Sequence, residues 1–182
     1  MRKTITTVAN EIAEVLNHIN EDEVLALEDK IKEAKRVFIS GTGRSGLIGK
    51  VFAMRLMQSD FPVYVVGETI TPSIEDEDLL IIISGSGSTG SLVQFAEKTT
   101  NVGAKLALVT TNKDSQIGQL SDCTVFIPAA TKKREPHEPD TIQPLGSQFD
   151  QSAHLLLDAL MVHLLENGTN KKQLNKRHAN LE

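Results

Sequence analysis

Apolar residues recur in two rhythms along this chain. At the start, Ile5, Val8, Ile12, Val15, Leu16 and Ile19 fall at helical spacing. Asn20 then stands where an N-cap belongs, ahead of Glu21, Asp22 and Glu23 in the first turn of a second helix, whose apolar face is Leu25, Leu27 and Ile31. From Arg36 onward the rhythm shortens. Strand-like runs at 37–40, 63–66, 79–84, 106–111 and 124–127 alternate with helical patterns. That alternation predicts an α/β fold: a three-layer α-β-α sandwich around a five-stranded parallel sheet, in the flavodoxin-like order 2-1-3-4-5. The run 79–83 has no polar alternation, as in a strand covered on both faces. A last helix over about 147–166 is apolar on most sides, predicting burial between the sheet and a partner subunit. Along it Asp150, His154 and Asp158 form a polar stripe, read as facing solvent or an interface.

Two loops of small residues interrupt this pattern, and both follow strands that the predicted order makes neighbours. After the third strand comes Ser84-Gly85-Ser86-Gly87-Ser88-Thr89, feeding a helix. Backbone N–H groups, hydroxyls and the positive end of a helix dipole suit a phosphate. A plain tight turn needs one capping hydroxyl, and this loop carries four. After the first strand comes Ser40-Gly41-Thr42-Gly43-Arg44-Ser45-Gly46, which satisfies GxGxxG between strand and helix. A dinucleotide reading, with Glu68 as the ribose-binding acid, therefore has to be weighed. It leaves the Ser-rich loop unexplained and finds no room for a substrate domain. Leu47 after Gly46 excludes a Walker A loop. Arg44 offers a guanidinium to a terminal phosphate or to an acid across an interface. The candidate substrate- and phosphate-binding residues are thus Gly43, Arg44 and Ser45 with Ser84, Gly85, Ser86, Gly87, Ser88 and Thr89.

Composition narrows the partners. The 182 residues fit one domain, read as N-terminal helices (1–35), an α/β core (36–128), a loop (129–143) and a C-terminal helix and tail (144–182). A net charge of -5 argues against nucleic acid, and no apolar run approaches a membrane span or a signal-peptide core. The single cysteine, Cys123, forms no internal disulfide and fits a reducing cytoplasm. Five histidines without ligand-like spacing give no reason to expect a metal. The stretch 129–140, charged and punctuated by prolines, reads as a mobile surface loop with the makings of a lid.

Several of these segments together resemble the sugar isomerase (SIS) domain, and within it the 6-phospho-3-hexuloisomerases. They are the two Gly/Ser loops, Phe52-Ala53-Met54-Arg55-Leu56-Met57, Val66-Gly67-Glu68-Thr69-Ile70-Thr71-Pro72, Gln143-Pro144-Leu145-Gly146-Ser147-Gln148-Phe149-Asp150-Gln151 and His178-Ala179-Asn180-Leu181-Glu182. The resemblance covers nearly the whole chain. It implies interconversion of D-arabino-hex-3-ulose 6-phosphate and D-fructose 6-phosphate through a cis-enediolate, as in the ribulose monophosphate pathway of formaldehyde fixation. It also implies no cofactor, a cytoplasmic tetramer and a small sugar phosphate as partner. The catalytic base it implies is the acid after Phe149, usually Glu and here Asp150. The exchange shortens the reach by about 1.5 Å, a scale on which misplacement costs roughly 10²-fold in rate. Glu68 is the reserve base, and His178 the donor or shuttle. Gln58 stands where several relatives have His, while Arg55 reads as an interface or supporting charge. Two alternatives share the phosphate cradle: a non-catalytic phosphosugar sensor, and an SIS isomerase for another sugar phosphate.

Overall fold

One parallel sheet organises the chain: β1 (Val37–Gly41), β2 (Val63–Val65), β3 (Leu79–Ile83), β4 (Lys105–Thr110) and β5 (Cys123–Phe126), in the order β2-β1-β3-β4-β5. In this computed structural model the residues described are 1–166. The helices are α1 (Arg2–Asn17), α2 (Glu21–Glu33), α3 (Gly43–Gln58), α4 (Gly90–Asn101), α5 (Gln116–Leu120) and α6 (Ser147–Glu166). The predicted sandwich and strand order are what the chain adopts.

Alternate residues of each strand serve opposite faces, as the pleat demands. Ile39, Ile81 and Ala107 lie side by side in register and pack in one core with Leu27 and Ile31 of α2, Phe52 and Leu56 of α3, and Leu157 and Leu160 of α6. Leu80, Ile82, Leu106 and Leu108 pack on the other side with Leu92 and Ala96 of α4 and Ile117 of α5. Helices on both faces explain the unbroken apolar run of β3. Ile81, Ile82 and Ile83 are wholly buried, each contributing about 1.5–3 kcal/mol. Because β1 connects through α3 and β3 through α4, the chain leaves these neighbouring strands in opposite directions, opening a crevice at their carboxyl ends.

Asn20 caps α2, its Oδ1 accepting from the Asp22 N–H at 3.0 Å. The two N-terminal helices pack within their own chain, α1 on α6 and α2 on β5 and α6. The stretch expected to be a surface loop is mostly exposed over 132–140, and it is anchored where it leaves and where it rejoins the core. Ala129 and Ala130 are buried, and the Ala130 N–H donates to Gln148 Oε1 at 2.7 Å. Glu11 on α1 accepts from the Ile142 N–H at 2.9 Å, Gln143 Nε2 at 3.1 Å and the Thr141 hydroxyl at 2.5 Å. Burial alone pushes the Glu11 carboxyl up, but these bonds and nearby Arg134 bring it below the ordinary range. Charge and proline content predict a solvated loop, and most of 132–140 is exposed; the anchors at its two ends are contacts that composition does not reveal.

At the amino ends of β1 and β3, Arg36 grips the wholly buried Asp78 bidentately, at 2.9 and 2.6 Å. The Glu75 N–H adds a third bond to that carboxylate at 2.7 Å.

Candidate active site

The carboxyl ends of β1 and β3 approach backbone to backbone. A methyl group on Gly41 would lie 3.0 Å from the Ile83 carbonyl oxygen, and one on Gly46 only 2.7 Å from the Gly41 oxygen. The first and last glycines of GxGxxG thus have a packing reason, independent of any dinucleotide. That tight entry places Arg44 and Ser45 in the first turn of α3. Opposite them stands the first turn of α6, bearing Asp150. The Ser45 hydroxyl donates to Asp150 Oδ1 at 2.9 Å, and Arg44 Nε meets Oδ2 at 3.0 Å. Arg44, expected to reach for phosphate or an acid across an interface, holds an acid of its own chain. Its side chain is still 58% exposed, whereas that of Asp150 is only 8% exposed. Burial raises the Asp150 carboxyl above its ordinary pKa, outweighing the lowering by Ser45 and Arg44. A carboxylate so placed is a better proton acceptor than an ordinary surface Asp.

The Ser-rich loop forms the adjoining wall. A methyl group on Gly85 would lie 3.3 Å from the Phe149 ring, so the residue beside Asp150 packs directly on this loop. Gly87 has φ +60, and a methyl group there would sit 2.0 Å from Ser115 Oγ, so only glycine fits. The Gly87 N–H donates to both the carbonyl and the hydroxyl oxygen of Ser84 at 3.2 Å, closing the turn. Ser86 and Ser88 are exposed. The Ser88 N–H donates to Ser86 Oγ at 3.3 Å, and the Ser88 hydroxyl to the Ser86 carbonyl at 3.1 Å. Thr89 makes no side-chain cap on α4. Hydroxyls and an uncapped helix N-terminus beside a buried carboxylate can hold an anion on one side and accept a proton on the other.

The SIS domain family matches residues 30–142. The chain belongs to that family. The 3-hexulose-6-phosphate isomerase of Bacillus subtilis is 38% identical over 179 residues, 98% of this chain and 97% of that protein. That of Methanocaldococcus jannaschii is 39% identical over 157 residues, covering 86% of this chain and 82% of the relative. Among solved structures, a Methanococcus jannaschii protein, whose crystal structure infers a molecular function of 3-hexulose-6-phosphate isomerase, superposes with a TM-score of 0.86 at 33% identity, covering 99% of both chains.

The other sequence candidates fall elsewhere on this SIS domain. Glu68 follows the edge strand β2, half exposed, and pairs with Lys50 of α3 at 2.6 Å rather than with the Asp150 group. Gln58 is buried at the end of α3, its Oε1 accepting from Arg55 at 3.2 Å. The polar stripe of α6 splits: Asp150 turns inward, while His154 and Asp158 pair on the surface at 3.7 Å. His178 lies outside the described residues. Among the described residues no group of three or more His, Cys, Asp and Glu side chains is placed to hold a metal ion. Sequence reasoning overlooked Phe149, Thr110, Thr111 and Ser115, which back the Ser-rich loop. The only signal for the last three was hydroxyl residues at the end of the fourth strand and in the turn that follows it.

Proposed function

We propose that this protein interconverts D-arabino-hex-3-ulose 6-phosphate and D-fructose 6-phosphate. The observation that carries the reading is the buried Asp150, held by Ser45 and Arg44 against a Ser-rich loop. The full-length relatives supply the substrate. The phosphate occupies the 84–89 loop and the amino end of α4, with the Gly43–Ser45 turn closing the other side. Asp150 removes the proton at C2 of the 3-ketose. The C–H electrons form the C2–C3 double bond, and the carbonyl electrons move to O3 as the enediolate oxyanion. The Arg44 guanidinium offsets that charge. Transfer of the O2 hydroxyl proton to O3 moves the charge to O2; its collapse to the C2 carbonyl, with return of a proton to C3, completes the 2-ketose with all atoms conserved. His178 is assigned the donor role and Glu68 that of reserve base.

The reaction belongs in formaldehyde fixation or its reverse, in the cytoplasm, and in an oligomer, the tetramer that the family resemblance implies. Supporting self-association, an apolar groove of about 560 Å³ runs between α1 and α6, with Ile5 and Leu155 half exposed along it. Light scattering is expected to give a mass several times the 19.9 kDa chain; a monomer contradicts this assembly.

Proton NMR of fructose 6-phosphate with the enzyme in D₂O tests the chemistry. Deuterium at C3, with hexulose formed, marks the 2,3-enediolate. Exchange confined to C1 indicates an aldose–ketose isomerase instead. Binding without any exchange identifies a sensor.

A further inference from the structure

The Ser-rich loop owes its shape to residues on the next strand. The Gly85 carbonyl oxygen accepts three hydrogen bonds at once: from the Thr110 hydroxyl at 3.0 Å, the Thr111 hydroxyl at 2.8 Å and the Thr111 N–H at 3.1 Å. Few carbonyls are so heavily engaged, since two lone pairs are the usual limit of good geometry. Thr110 is wholly buried, and its oxygen also accepts from the Asn112 N–H at 3.1 Å, which fixes its rotamer. The Gly85–Ser86 peptide is trans. In a trans peptide the carbonyl and the following N–H point in opposite directions. Pinning the Gly85 oxygen toward β4 therefore turns the Ser86 N–H away from β4, toward the exposed side of the loop. Among the described residues that N–H has no hydrogen-bond partner.

We infer that Thr110 and Thr111 are positioning residues for the phosphate site: by holding the Gly85 carbonyl they aim the Ser86 N–H at the substrate phosphate. This rests on the reading of the 84–89 loop as the phosphate cradle. The hydroxyls do not touch the ligand. They remove the freedom of the peptide to flip, so that the donor is already oriented when the anion arrives.

Titration of the full chain with inorganic phosphate, followed by amide NMR, tests this apart from turnover. The Ser86 amide is expected to move downfield. In Thr111→Val the phosphate dissociation constant rises about fivefold, and in Thr110→Val/Thr111→Val about tenfold or more, the scale of one or two lost hydrogen bonds. Thr111→Ser restores the wild-type value. With sugar phosphate, KM rises in the same ratio while kcat holds. A Ser86 amide that ignores phosphate overturns the inference, as does unchanged phosphate affinity in a folded Thr111→Val variant. The single variant keeps the test standing if the double variant does not fold. Should wild-type protein bind phosphate at Ser86 yet show no isomerisation, the proposed reaction fails and the positioning role survives.

Discussion

Each end of the sheet holds a buried aspartate met by an arginine, and the two pairs are built to opposite ends. At the amino ends of β1 and β3, Asp78 is sealed: bidentate Arg36 and the Glu75 N–H bond its oxygens, and the Arg36 side chain is only 18% exposed. At the carboxyl ends, Asp150 has one contact from a mostly exposed Arg44 and one from Ser45. There burial wins, and the carboxyl titrates above its usual range. A wholly buried carboxylate held by three hydrogen bonds ties two strands together and is closed to a substrate. One that is buried yet under-bonded costs stability and is available for proton transfer.

The contrast is sharpest in a pair of variants. Asp150→Asn is expected to lower kcat by about 10²–10⁴-fold, the usual range for a lost general base, while thermal stability at neutral pH stays level or rises. The sign follows from the raised carboxyl. Between its ordinary and its native pKa the folded state binds more protons, so wild type loses stability as pH rises through that window and the variant does not. Scanning calorimetry against pH checks this. Asp78→Ala should do the reverse, destabilising by roughly 2–4 kcal/mol with the kcat of folded protein unchanged. It removes the bidentate partner of Arg36, which is left with Glu75 and the Ser73 carbonyl, and the acceptor of the Glu75 N–H. If both variants lose activity and stability alike, the division of labour between the two ends is wrong.

Smaller effects refine the comparison. Ser45→Ala removes a bond that lowers the Asp150 carboxyl. The acid limb of kcat/KM against pH is expected to move to higher pH. Activity in both forms falls as pH drops through that limb. Glu11→Gln should loosen the 141–143 anchor at a cost of about 1 kcal/mol. Glu11 titrates low in the folded chain, so its stabilisation is present above the unfolded carboxyl pKa and lost as pH falls through the folded one. That acid-limb loss of stability should be smaller in the variant.

The same contrast explains what could be read from the chain. The unbroken apolar run of β3, the extent of α6, the Asn20 cap and the strand order all follow from local rhythm and loop placement. Both small-residue loops were visible as well, because their composition is unusual over a few positions. The partners were not. Ser45 and Asp150 are 105 positions apart, and Glu11 and Gln143 132 apart. Periodicity carries no information about which distant polar groups meet. Thus Arg44 was expected at a phosphate or at an acid across an interface rather than at Asp150 of its own chain. The anchors at the two ends of the 129–140 loop were not foreseen, and Thr110 and Thr111 were expected merely as strand residues. The resemblance singled out Asp150, but its burial and its two supports emerged only when α6 was set against α3.

A crystal structure of Asp150→Asn with bound fructose 6-phosphate tests the central claim most directly. The account predicts the phosphate on Ser84, Ser86, Ser88 and Thr89, and the C2–C3 bond within about 3–4 Å of the residue 150 side chain. A sugar whose phosphate lies elsewhere, or whose C2 and C3 face Glu68 instead, contradicts it.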